Sequence, residues 1–415
     1  MHDASLMPPA FAARQGGIDA LAAALQASRH DTLTTFAAYE QALPGLGVPL
    51  HAERNPPLWE LGHIGWFQEY WLARNPEHHR GVAADPERGR GQALRANADA
   101  LYNSSVVPHD ARWELPLPDA EATREDLARQ LAGTLALLRA TRESSDDALY
   151  FFRLALLHED MHHEAALHTA QALGIAVKDA RWQAATLPKP ASPIDLPAGP
   201  WRLGSEADAG FVFDNELPAY DVALGATTID AQVVRWIEFL PFLESGGYAD
   251  DSWWSAAGRP WRAQLRPAVP RYLRRAGSRW QQWRDGQWQA LNLAEAACHL
   301  TFYEAEAWCR WAGRRLPSEA EWERAAVTRP EGFRWGDVWE WTASPFQPYP
   351  GFAPHPYRDY SAPWFDDRPV LRGASHMTQP RLRHARYRNF FPPHRNDIAA
   401  GFRSCAAGPG GWTRG

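Results

Sequence analysis

The chain has 415 residues, 45% of them hydrophobic and 22% charged, an ordinary globular balance that leaves room for two domains and excludes wholesale disorder. Lys and Arg total 43 against 49 Asp and Glu, a net charge of −6 with no basic run, which excludes a general nucleic-acid or anionic-membrane binder. Three cysteines (Cys298, Cys309, Cys405) cannot close a disulfide framework and contain no CxxC pair. Neither a basic-then-apolar leader nor a stretch of 18 apolar residues occurs, so a cytoplasmic protein is expected. In chain order, residues 17–43 are rich in Ala and Leu and predict a helix. Pro56 and Pro57 sit where a second begins, running through LWELGHIGWFQEYWLAR. Helical spacing returns from Thr123 to Arg142. Ser144 and Ser145 then precede a long segment with acidic residues in its first turn and Gly174 at its end. Four long amphipathic segments without strand signals predict an antiparallel bundle over 1–190.

Between about 185 and 200 the sequence turns proline-rich and aperiodic, as a linker would. Of the 21 tryptophans, five precede residue 200 and sixteen follow it, which marks a second domain of different architecture over 191–415. There the segments are short. Asp285-Gly286 between aromatic runs predicts a hairpin, and LTFYEAEAWCRWAG a helix closed by Gly313. The expected class is multidomain, α followed by α+β. Trp308, Trp311 and Trp322 read as core residues.

His158 and His162 lie four apart, about 40° around one helix, on a stripe with Phe151, Ala155, Ala165 and Thr169. Both imidazoles should point into the bundle, where they could be hydrogen-bonded core residues or metal ligands. Glu164 is roughly 240° away from His158 and cannot share that face, and Glu159 and Asp160 are also displaced. His63, on a stripe with Trp59, Trp66 and Tyr70, is the best third ligand. Three imidazoles with open positions permit zinc hydrolysis or iron–oxygen chemistry. His78, His79, His163 and His168 read as surface residues.

LWELGHIGW followed by LLHEDMHHE resembles the DinB-like domain of the sulfoxide synthases of ergothioneine biosynthesis, whose pattern is H-x3-H-x-E with an upstream His. In the second half FDNELPAYDV, GDVWEWTASPF, VLRGAS and YRNFFPPHRNDIAAGFRSC resemble a formylglycine-generating-enzyme-like domain of C-type-lectin-like fold. The resemblance covers nearly the whole chain. It implies non-haem Fe(II) held by His63, His158 and His162, with hercynine, a sulfur or selenium donor and O2 as small-molecule substrates. It also implies that the segment containing Asn389, Phe390 and Phe391, together with Met161, binds substrate. Aromatic faces suit the trimethylammonium group of hercynine.

Departures from the thiol-using members set the expected branch. They carry arginines that grip a dipeptide donor in the loop where this chain has Ser104 and Ser105, with Arg112 the only arginine close by. They also carry Trp-Asp after the Asn where this chain has Phe390 and Phe391. A site short of those charges suits an uncharged selenosugar, and the chain is similar to the selenium-inserting, selenoneine-forming branch. Met161 stands where relatives often have Gln. Tyr357 aligns best with a catalytic tyrosine that would donate a proton, and Tyr360 is the second choice. A thiol donor such as γ-glutamylcysteine is the alternative. A copper oxidase of the formylglycine-generating type would need two close thiols, and a lectin-like binding module would leave the His stripe without a role.

Overall fold

The computed structural model describes residues 8–407. Its first half contains α1 (Pro9–Gln15), α2 (Ile18–Ala42), α3 (Pro57–Trp71), α4 (Ala98–Tyr102), α5 (Ala120–Ala140) and α6 (Asp146–Leu173). The long helices α2, α3, α5 and α6 form the expected bundle, with α6 packed against both α2 and α3. Local chemistry sets the ends. Pro57 opens α3, where a missing N–H costs nothing. Asp119 accepts from the Ala122 N–H at 2.8 Å to open α5, and Ser145 from the Ala148 N–H at 3.3 Å to open α6. Gly174, at φ +72°, closes α6 in the left-handed conformation that glycine adopts most easily. Helix α3 is buried all round: Leu61, His63, Ile64, Trp66 and Phe67 point in different directions and none is exposed. None of the described helices is long and apolar enough to cross a membrane.

The second half starts earlier than its prolines suggest. β1 (Ile194–Leu196) and β2 (Gly199–Leu203) begin inside the predicted linker, and Leu187 is already buried, its N–H donating to the Ala294 carbonyl at 2.9 Å. β3 (Tyr220–Leu224), β4 (Thr227–Ile229), α7 (Trp236–Glu244) and α8 (Gly258–Leu265) follow, then β5 (Leu273–Ala276), β6 (Arg279–Arg284) and β7 (Gln287–Ala290). After α9 (Phe302–Trp311), β8 (Arg314–Arg315) and α10 (Glu319–Thr328) come β9 (Trp339–Pro345), β10 (Pro369–Gly373), β11 (Asn389–Phe390), β12 (Ala400–Gly401) and β13 (Cys405–Ala406). Two small four-stranded sheets, ordered β1-β4-β13-β8 and β11-β10-β9-β12, are joined by the β2-β3 pair and the β5-β6-β7 meander. The predicted hairpin is β6-β7, with Asp285 at φ +51° and Gly286 at +75°, the positive pair that a tight two-residue turn needs. The predicted helix is α9. Thr301 and Glu304 cap it reciprocally, and Gly313 follows it at φ +65°. Trp308 and Trp322 are core residues as expected, and Trp311 is half-buried against Trp308. Buried arginines are each matched to a glutamate: Arg372 with Glu323, Arg388 with Glu319 at 2.9 Å, and Arg403 with Glu340.

The halves meet along α6 through polar contacts that leave few loose ends. Asp160 takes two hydrogen bonds from Arg381 at 2.8 and 2.7 Å. One oxygen of Glu164 accepts from the Trp339 indole at 2.7 Å, the Ser375 hydroxyl at 2.8 Å and the Thr378 hydroxyl at 2.7 Å. Helix α1 docks through Arg14, whose guanidinium meets the buried Glu216 carboxylate at 3.0 and 2.8 Å. Burial pushes the Glu216 carboxyl up, but Arg14 outweighs it and the value ends below the ordinary one. Arg14→Ala should therefore lower stability by about 3–5 kcal/mol, because it strands a buried charge. Denaturant unfolding at neutral pH would check this. The contribution should fade as pH falls through the depressed Glu216 value, and a variant as stable as the parent would rule it out.

Candidate metal centre and adjoining cavity

Helices α3 and α6 bring His63, His158 and His162 together, with one ring nitrogen of each within 4.8 Å of the others. The local bonds decide which nitrogens face inward. His63 Nδ1 donates to the Tyr102 carbonyl at 2.8 Å, which leaves Nε2 as a lone pair. His162 Nδ1 is bonded to Glu60, and its Nε2 lies 3.2 Å from Nε2 of His158. His158 Nδ1 is buried with no hydrogen-bond partner, and its ring is held instead by stacking on Phe67, with centroids 3.5 Å apart. Trp59 stacks on the other side of the centre, 4.8 Å from the His63 ring.

Burial holds His63 down at about 3 and His158 well below its ordinary value, and the neighbouring imidazoles add to the effect. Both are thus neutral at physiological pH, the form that ligates metal. Glu60 is held at about 2: burial opposes its charge, but His162 and Asn55 outweigh burial. The Nε2 atoms of His158 and His162 lie at hydrogen-bond distance, and with His63 Nε2 they make a set of three ring nitrogens close enough to share one metal ion. The acceptors behind His63 and His162 fix ring orientation as outer-sphere partners do. The donor set fits a divalent iron or zinc ion with open positions. No cluster of this kind among the described residues includes a cysteine, and all three thiols are buried.

The remaining residues singled out in the sequence fall into three groups. Met161, Asn389 and Phe391 line a cavity of about 500 Å³ that reaches His162 and Glu60 and takes its walls from both halves. Ala165 and Thr169, on the histidine stripe, face this cavity rather than a closed core. Tyr357 is not part of the cavity wall, and its ring lies 4.9 Å from Phe67 and 6.1 Å from His158. Its hydroxyl has no hydrogen-bond partner among the described residues, and burial, with help from Asp359, keeps it protonated. The Tyr360 hydroxyl is committed to Tyr387 at 3.0 Å, and Tyr387 in turn reaches Met161 Sδ at 3.4 Å.

Other positions depart from expectation. Strand alternation turns Phe390 away from its neighbours Asn389 and Phe391, and it stacks on Phe346 with centroids 4.0 Å apart. Ser104 and Ser105 do not line the cavity. The Ser105 hydroxyl bonds to Asp359 beside the Tyr357 loop, and Ser104 offers its carbonyl to Arg112 at 3.5 Å. His163 and His168 are buried, not surface residues. His163 is bonded through both ring nitrogens, to Thr35 at 2.9 Å and Gln379 at 3.2 Å, and His168 accepts from the Ala399 N–H at 3.2 Å. The second half covers the face of α6 that a bundle alone would expose. Nor is Arg112 the only arginine at hand. Its guanidinium lies 4.1 Å over Trp59, and Arg90 lies 5.0 Å over Trp71 with Nε and Nη2 buried and unpartnered.

A helix bundle with a three-imidazole cluster able to hold a metal ion, walled by an irregular α+β domain, defines a two-part protein with a substrate-sized pocket between its halves. Residues 180–337 and 333–407 match the sulfatase-modifying factor enzyme 1-like domain family. A hercynine oxygenase of Mycolicibacterium thermoresistibile is 31% identical, aligned over 84% of this chain and 86% of its own length. That of Mycolicibacterium smegmatis is also 31% identical, over 85% of this chain and 92% of its own. A formylglycine-generating enzyme of Thermomonospora curvata is 31% identical over 32% of this chain and 48% of itself. The chain belongs to the hercynine oxygenase family.

Proposed function

We propose that this chain is an Fe(II)- and O2-dependent enzyme that joins selenium from a selenosugar to C2 of the hercynine imidazole, leading to selenoneine. The observation that carries the reading is the convergence of three imidazoles at the edge of a cavity large enough for a zwitterionic amino acid. His63, His158 and His162 would hold the iron, which supplies activation of O2. In the reaction the C2–H and Se–H bonds are replaced by C–Se, and O2 accepts the electrons released. Met161, Asn389 and Phe391 wall the side on which hercynine would lie. Tyr357, protonated and unengaged, would deliver a proton.

Two observations bear on the donor. Arg112 donates Nη1 to Asn55 at 2.7 Å and Nη2 to the Ser104 and Val107 carbonyls at 3.5 and 3.4 Å, which takes both terminal nitrogens of its fork and leaves only Nε unpartnered. That supports an uncharged selenosugar. The unpartnered nitrogens of Arg90 favour a second reading, in which an anionic thiol such as γ-glutamylcysteine is the donor. Competition between equal concentrations of a selenosugar and γ-glutamylcysteine, with hercynine and O2, would separate them by product mass. The expected result is a selenium product in excess by about tenfold or more, since each missing charge-assisted contact forfeits about 1.5–3 kcal/mol. A dominant γ-glutamylcysteine conjugate would move the enzyme to the sulfur branch, and a failure to consume hercynine with either donor would sink the reading altogether.

A further inference from the structure

Glu60, which orients His162, is tied to the loop before α3. The Asn55 amide donates to Glu60, and the Asn55 carbonyl oxygen accepts from Arg112. The residue before Asn55 is Arg54, which lines the cavity from this anchored point. Its Nη1 is buried without a partner, and its guanidinium forms no ion pair or side-chain hydrogen bond among the described residues. Every other basic side chain on the wall is engaged. Arg395 binds Asp397 at 2.6 and 3.0 Å and Glu53 at 2.9 Å. His162, His163 and His168 are bonded as described above.

A guanidinium nitrogen drawn out of water without an acceptor is costly, and the planar fork it belongs to matches a carboxylate. The same wall carries the ring of Tyr387, the kind of face a quaternary ammonium prefers. We propose that Arg54 binds the carboxylate of the substrate, so that this cavity selects an amino-acid betaine over the corresponding amine. The assignment rests on hercynine as the substrate and names the residue that reads its acidic end. Arg54 is a specificity residue, with no part in the chemistry at C2.

The test is calorimetric titration of the metal-loaded, oxygen-free protein with hercynine and with trimethylhistamine, the same molecule without its carboxylate. Wild type should bind hercynine more tightly by about tenfold to a hundredfold. Arg54→Ala should erase that preference by weakening hercynine alone, and Arg54→Lys should restore part of it. Metal content and unfolding midpoint should not move, because removing Arg54 orphans no partner. Hercynine binding that survives Arg54→Ala, or an equal loss for both ligands, would overturn the role of Arg54 and leave hercynine as the substrate. A wild type that binds neither ligand would overturn the hercynine reading and this assignment with it.

Discussion

His162→Ala should release the bound metal and abolish turnover while the helical signal of the bundle stays intact. Among the described residues the cluster is three imidazoles whose ring nitrogens lie within 4.8 Å of one another, so the loss of one leaves two ligands. Glu60, the carboxylate bonded to His162, would be freed by the same change, but it is held by Asn55 in the loop before α3. The fold should tolerate the substitution because the His162 side chain is 20% exposed toward the cavity, so its loss opens existing space and creates no sealed void. Metal analysis of the purified variant beside a circular dichroism spectrum would check this. Stoichiometric metal in His162→Ala would mean the centre lies elsewhere.

Tyr357→Phe should lower turnover by about 10²- to 10⁴-fold, the ordinary contribution of a positioned proton donor. Metal content and hercynine affinity should be unchanged. The hydroxyl makes no bond that the fold depends on, and the ring contacts with Phe67, Trp71 and His158 survive in phenylalanine. Single-turnover rates measured beside hercynine titrations separate the two effects. Undiminished turnover would return Tyr357 to a packing role and pass the proton-donor role to the Tyr360–Tyr387 pair.

Much of this architecture is legible in the residues because it follows from local rules. Ser145, Gly174, Pro57 and the Asp285-Gly286 pair mark boundaries by capping and turn chemistry, and the elements begin and end where they indicate. The inward stripes of α3 and α6 point at His63, His158 and His162 because period 3.6 is a geometric constraint. What stayed hidden depends on contacts remote in sequence. The Tyr102 carbonyl that orients His63 is a backbone group, and backbone acceptors leave no mark in residue identity. Glu60 lies beside the His63 stripe, yet nothing in its spacing says that it reaches a residue 102 positions later. His163 and His168 read as surface residues because a bundle alone would leave them open on one side, and only the docked second half supplies Gln379 and Ala399. Phe390 shows the converse. Strand alternation could have turned it away from its neighbours, but a two-residue strand carries too little pattern to be recognised.

Helix α6 cannot change phase. Each turn of it is used on more than one side: Glu159 holds Arg29 at 2.8 Å, Asp160 holds Arg381, His158 and His162 face the metal centre, and Glu164 reaches across to Trp339. An α-helix advances about 100° per residue. A single residue inserted after His158 would swing everything beyond it by that angle and set the two histidines on different faces. The same insertion would aim Glu164 away from its three donors and leave Asp160 facing no arginine. Length variation among homologues of this architecture should therefore collect in the loops on either side of α6, and the segment from 158 to 164 should pass from one to another as an indivisible block.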